Sequence, residues 1–308
     1  MKMTALAGGV GAARLLSGLA GLLSPGELTV IVNTGDDFRY LGLYICPDLD
    51  TVVYTLAGVA DPKTGWGIRA DTLHCLKRLS DLQCETWFRL GDRDLATHIF
   101  RTHRLRCGDS LTGVTRMICL RSGIQVAVLP MTDSEVPTLV HTDEETLEFQ
   151  DYFVRRQCAP HVRGFQYLGI ETACPAPGVL DAILNADAVV LCPSNPYVSI
   201  GPILAVPGIR DALRATRAVV LAVSPIVAGK ALKGPAAAMM RQLGEQSCAT
   251  TVARLYRDFL DIFVLDRRDE SLVGPVRSLG LTVHAVETVM DSPSARLALA
   301  GSLLRMLP

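Results

Sequence analysis

Apolar and polar residues follow one another along this chain in blocks that predict strands and helices in turn. Lys2 to Ala7 is an apolar run of strand length, Gly8 to Gly11 reads as a turn, and Ala12 to Leu23 carries apolar residues at helical spacing. Ser24-Pro-Gly26 stops that helix, and a second apolar run, Leu28 to Val32, follows. Helical patterns then cover Thr51 to Ala60, Arg69 to Leu82, Asp92 to Arg106 and Ser110 to Arg121, and Ile124 to Leu129 returns as a strand. From Gly178 onward, strand patterns at Ala188 to Cys192, Ala218 to Val223, Ile262 to Leu265 and Leu281 to Val286 are separated by helical ones. Ser294 to Met306 closes the chain as a helix.

This alternation predicts an α/β fold, a doubly wound and mostly parallel Rossmann-like sheet. One stretch departs from it. Between residues 137 and 169, Thr138-Leu-Val-His-Thr and Thr146-Leu-Glu-Phe-Gln-Asp-Tyr-Phe-Val alternate apolar with polar, which predicts a small antiparallel β insertion in a single domain spanning residues 1–308. Formal net charge is −1, so neither nucleic acid nor an anionic membrane is an expected partner. The apolar stretch Leu15 to Leu23 is far shorter than the roughly 20 residues of a membrane span. Nine cysteines without a CxxC pair read as free thiols, and a cytoplasmic protein is expected.

The chemistry concentrates between Asn33 and Thr51, where Asp36 and Asp37 end a strand pattern and Asp48 and Asp50 lead into a helical one. Unpaired carboxylates gathered at one spot repel each other, so a positive guest is expected. A hard divalent cation, Mg²⁺, suits oxygen ligands and in enzymes commonly also holds phosphate. The turn Gly8-Gly9-Val-Gly11 opening a helix offers free N–H groups to an anion, and Arg14 one turn later adds a positive charge. Gly9-x-Gly11-x-x-Arg14 keeps two glycines of the dinucleotide fingerprint but has arginine at the third, which leaves an NAD-dependent oxidoreductase with little support. Asp92, Arg93 and His98 cluster at a helix start, where capping explains the acid but not the two basic residues. Ser194, Asn195 and Ser199 lie in a loop after a strand, the position where open α/β sheets bind ligands.

Taken in order, the stretches AGGVGAARLLSGL, VNTGDDF, ICPDLDTVVYTL, LGDRDLATHI, SLTGVT, PMTD, FQDYFV, PSNPYVSIGPI, AVSPIVAG and DFLDIFVLDRRD resemble the 2-phospho-L-lactate transferase family of coenzyme F-420 biosynthesis. The resemblance implies transfer of a phosphate bearing a small acid from a guanosine diphosphate-linked donor to the ribityl 5′-hydroxyl of the deazaflavin alcohol FO. GMP leaves, and Mg²⁺ assists. It also implies Asp50 and Arg93 near FO, and Asp36, Asp37 and Asp48, with Asp50, around the metal. The loop from Ser194 to Gly201 would help hold the donor nucleotide, Asp92 and His98 would contact substrate, and a homodimer is expected. Lactate, enolpyruvate and glycerate stay open as the transferred acid. A nucleotide-sugar-binding regulatory protein of the same superfamily is the alternative, disfavoured by the doubled acids of ICPDLDT.

Overall fold

Seven of the apolar runs pair into one sheet in the computed structural model, which describes residues 1–307. The strands are β1 (Met3–Ala7), β2 (Leu28–Val32), β3 (Ala127–Pro130), β4 (Ala188–Leu191), β5 (Val219–Val223), β6 (Ile262–Asp266) and β7 (Thr282–Val286). All neighbours are parallel, in the order β3-β2-β1-β4-β5-β6-β7. Along β1, Met3, Ala5 and Ala7 join the cluster built on Leu15, Leu16 and Leu19 of helix α1 (Gly9–Ala20), while Leu6 joins Ile203 and Ile209 on the other face. Burial on both faces is why these strands read as unbroken apolar runs rather than alternating ones. The doubly wound α/β sheet is therefore as expected.

The strand order reverses between β1 and β4, and a crevice opens there beyond the carboxyl ends of the strands. The chain enters α1 three residues earlier than its apolar pattern predicts, with Gly8 extended (φ −156°, ψ 130°) and Gly9 left-handed (φ +72°). Helix α2 (Pro47–Leu56) also starts early, with proline in its first turn, which puts Asp48 and Asp50 inside the helix rather than before it. Helix α3 (His74–Asp81) is shorter than the expected Arg69 to Leu82, because Ala70 is left-handed (φ +53°). Helices α4 (Asp92–Arg106) and α5 (Leu111–Arg121) follow the pattern, the latter capped by the Ser110 side chain.

A hairpin that the pattern does not announce, Phe38–Tyr40 with Leu43–Ile45, turns through Leu41 and Gly42, both at positive φ. Such turns favour Asn-Gly, so a leucine there hides the signal. In the insertion, Thr138–Thr142, Thr146–Glu148 and Val162–Tyr167 form a three-stranded antiparallel sheet, whereas Asp151–Arg155 coils into a π-helical turn instead of extending the strand. Its apolar core of Val140, Leu147, Phe149, Tyr152 and Val162 packs on Val198, in the loop after β4. Among the described residues no helix is long and apolar enough to cross a membrane.

Gly11 tests the geometry of the crevice. A Cβ there would lie 2.5 Å from the Pro193 carbonyl oxygen, a backbone atom that cannot swing away. Gly11→Ala should lower stability by about 1–3 kcal/mol, as overpacking typically does. An unchanged denaturation midpoint would show that the two segments separate freely.

Candidate active site

A cavity of about 620 Å³ occupies the crevice, within the range typical of small-molecule sites. One wall is the start of α1, with Gly8, Gly9 and Gly11, where Gly8 and Gly11 bring the backbone close to the loop after β4. Ser194 ties the two together, its Oγ accepting from the Gly8 N–H at 3.3 Å and donating to the Gly8 carbonyl at 2.7 Å. Beside them the side-chain amide of Asn33 donates to Asp48 Oδ2 at 2.9 Å and lies 3.3 Å from Asp36 Oδ1. The Gln150 amide reaches the other Asp36 oxygen at 3.1 Å from the insertion.

Among the described residues, Asp36 and Asp48 have no ion pair. Burial, and then the neighbouring Asp48 and Asp37 charges, push the Asp36 carboxyl well above its usual range. Burial raises Asp48 to about 7, against the opposing hydrogen bonds from Asn33 and the Gly9 N–H. Two buried carboxylates 12 residues apart in sequence, oriented by one amide and lacking a protein cation, are a donor set that fits a hard divalent ion. Asp37 differs. It does not line the cavity, burial raises its pKa, and neither of its oxygens makes a hydrogen bond of normal geometry.

Asp50 is neutralised from within the protein. Arg101 Nη1 donates to Asp50 Oδ2 at 3.0 Å and Nη2 donates to Oδ1, with both side chains buried. The carboxylates gathered here are therefore not all unpaired, since Asp50 finds its counter-ion 51 residues away in the chain. His98 Nδ1 lies 3.6 Å from Asp50 Oδ2, its Nε2 lies 3.1 Å from Asp94 Oδ1, and the Tyr54 hydroxyl donates to the same Asp94 oxygen at 2.7 Å. Asp50, Asp94 and His98 offer ligand atoms within 4.8 Å of one another. Arg101 already satisfies Asp50, so the pair without a cation is the better metal seat.

Another part of the lining is apolar. Ile45, Phe88, Phe149 and Phe153 face the cavity, and the rings of Phe149 and Phe153 stack 5.5 Å apart at 4°. Arg14, Arg89 and Lys233 also line it. Lys233 Nζ donates to the Thr64 carbonyl at 2.6 Å, and its pKa is lowered by burial and then by the Arg14 charge.

Of the residues singled out in the sequence, Gly8, Gly9, Gly11, Arg14, Asp36, Asp48, Asp50, His98, Ser194, Asn195 and Ser199 meet at this cavity. Asp37, Asp92, Arg93 and Gly201 do not line it. Asp92 accepts from the His74 and Cys75 N–H groups at 3.0 and 2.9 Å, which caps α3. Arg93 is exposed, with Nη2 donating to the Arg69 carbonyl at 2.7 Å and Nε 3.5 Å from Asp71. Gly201 is a packing glycine, since a Cβ would sit 2.8 Å from the Pro196 carbonyl oxygen. Sequence reasoning passed over Asn33, Arg101, Gln150, Arg89 and Lys233, and read Asp94 only as an acid favouring the helix dipole. One signal was available: Asp94, His98 and Arg101 fall at i, i+4 and i+7 of α4, so its buried stripe is polar.

A family model described as 2-phospho-L-lactate transferase CofD matches residues 3–291. The phosphoenolpyruvate transferase of Kitasatospora aureofaciens is 42% identical over 313 residues, covering 99% of this chain and 98% of that protein. The phosphoenolpyruvate transferase of Nocardia farcinica is 43% identical over 305 residues, covering 95% and 90%. A crystal structure of a UPF0052 family member from Bacillus halodurans shares the fold, with a TM-score of 0.64 over 98% of both chains at 14% identity. The ordered motifs, the crevice and these similarities agree: the chain belongs to the 2-phospho-L-lactate transferase CofD family and is a transferase.

Proposed function

We propose that this transferase moves a phosphoenolpyruvyl group from a guanosine diphosphate-linked donor to the ribityl 5′-hydroxyl of FO in coenzyme F-420 biosynthesis. The choice of enolpyruvate over lactate or glycerate follows the names of the relatives at 42% and 43% identity. The observation that carries the reading is the division of one cavity into two chemistries. Helix N–H groups and two uncompensated carboxylates form one part of its lining, and stacked aromatic rings form another. The first suits a diphosphate with its metal, and the second suits a flat tricyclic acceptor.

In the transfer, the acceptor oxygen bonds to the phosphorus that bears the acid as the bond from that phosphorus to the GMP oxygen breaks. The acceptor proton is released, and GMP departs. Such chemistry needs in-line positioning and charge neutralisation more than covalent help. A Mg²⁺ ion held by Asp36 and Asp48 would neutralise phosphate oxygens. Asn33 keeps those two carboxylates in place. The N–H groups at the start of α1 and the Arg14 guanidinium take donor oxygens, while Ser194 holds the Gly8 turn in shape. Asp50 receives the acceptor hydroxyl and orients it, and Phe88, Phe149 and Phe153 hold the ring.

Metal dependence and pH are linked. Burial raises Asp48 from 3.8 to about 7 and Asp36 in the same direction, so the folded protein keeps protons that the unfolded chain releases. The stability they contribute is full below 3.8 and is lost as pH rises through about 7. A divalent ion competes with those protons. The gain in melting temperature on adding Mg²⁺ should therefore grow between about pH 5.5 and about pH 8. Chelator should abolish turnover and Mg²⁺ restore it; full activity in chelator would remove the metal from the reaction.

Asp50→Asn should cut turnover at least about tenfold. Asparagine has one oxygen for the two Arg101 donors, and its NH₂ would face a guanidinium N–H. Near-normal steady-state rates would reduce Asp50 to an acid in a helix first turn. Two arginines give a paired test. Arg89→Lys should raise KM for FO or donor, because the planar fork is lost at the cavity. Arg93→Lys should leave both KM values unchanged and shift stability by less than about 0.5 kcal/mol. A larger kinetic defect in Arg93→Lys than in Arg89→Lys would bring Arg93 back to the site.

A further inference from the structure

Arg101 is one of the largest fully buried side chains in the protein, yet it does not line the cavity. It approaches Asp50 from behind, on a helix that follows α2 by way of a long excursion through α3. A buried ion pair is weak evidence for stability, since well-packed apolar residues of similar volume commonly serve as well or better. Here the desolvation is not even fully compensated, because the Arg101 Nε has no hydrogen-bond partner. The geometry serves orientation instead. Two N–H groups on one rigid fork fix both oxygens of Asp50 and hence the plane of its carboxylate.

The same Nη1 lies 3.3 Å from His98 Nδ1. Arginine has donors only, so a hydrogen bond at this contact requires the lone pair of His98 Nδ1 and places the ring proton on Nε2. Nε2 faces Asp94 Oδ1 at 3.1 Å, although not at a hydrogen-bonding angle. One guanidinium thus sets the plane of one cavity-lining group and the tautomer of the next. Both groups face the space where the acceptor hydroxyl would lie.

We propose that Arg101 is a positioning residue for the transfer, acting through Asp50 and His98 on the acceptor hydroxyl. The inference rests on the reading that Asp50 receives that hydroxyl. It separates Arg101 from a residue that only balances charge, for which any buried cation would do.

The test compares Arg101→Lys and Arg101→Ala with the wild-type protein at saturating Mg²⁺, varying FO and donor in turn. Arg101→Lys should fold, keep the donor KM within about twofold, and lose at least about tenfold in kcat/KM for FO. In Arg101→Ala, guanidinium ion at low millimolar concentration should restore part of the lost FO turnover and leave the wild-type rate unchanged. A long-range proton–nitrogen NMR spectrum should show the wild-type His98 ring protonated at Nε2, and this tautomer should be lost or mixed in Arg101→Lys. That arm needs no turnover, so it stands if Arg101→Ala fails to fold. Wild-type FO kinetics in Arg101→Lys, or a wild-type His98 protonated at Nδ1, would overturn the proposal. A wild-type protein that cannot use FO would overturn the functional reading instead, and the NMR arm would still decide the role of Arg101.

Discussion

Where α1 leaves β1, two positions without a side chain let the backbone approach two other segments more closely than any alanine allows. A Cβ on Gly8 would lie 2.6 Å from both Asp48 Oδ2 and the Ser199 Cβ, and one on Gly11 would lie 2.5 Å from the Pro193 carbonyl oxygen. That close approach aims the Gly9 N–H at Asp48 and brings Ser194 within reach of Gly8 on both its donor and acceptor sides. The parallel sheet supplies the crevice, but the missing β-carbons make it narrow enough for backbone groups to act as ligands. The rest of the cavity is arranged around this contact.

Buried carboxylates are costly, and the protein handles its cluster in three different ways. Asp50 has an internal counter-ion in Arg101, so its charge is compensated before any ligand arrives. Asp36 and Asp48 receive amide hydrogen bonds that orient them without cancelling their charge. Asp37 lies beside Cys46, and burial raises its pKa more than the thiol and the Arg101 charge lower it. The division follows the chain. Of Asp36 and Asp37, in the turn after β2, only Asp36 lines the cavity, and Asp48 and Asp50, two residues apart on α2, meet different neighbours.

The sheet was legible because parallel strands buried on both faces are apolar throughout, and Leu28–Val32 or Ile262–Asp266 admit few other readings. The insertion was legible from period-two alternation, except at Asp151–Arg155, where the residues suit a strand but the chain coils. The acid cluster and the glycine turn could be read because their residues are adjacent in sequence. Arg101 could not be read the same way, since its role depends on α4 folding back across α2. Arg93 looked more eligible because it stands next to two acids. Those acids are spent elsewhere, Asp92 on the amides of α3 and Asp94 on His98 and Tyr54.

The insertion enters the cavity in two ways at once. Gln150 holds an oxygen of Asp36, while Phe149 and Phe153 form the stacked aromatic wall. Its small core is completed by Val198 from the loop that faces α1. It is therefore no detachable ornament on the parallel sheet. Exchanging it for the corresponding segment of a relative would rebuild the aromatic wall and the surroundings of Asp36 together. The apolar lining and the hydrogen bonding of Asp36 in such chimaeras would then change jointly, as properties inherited through one stretch of chain.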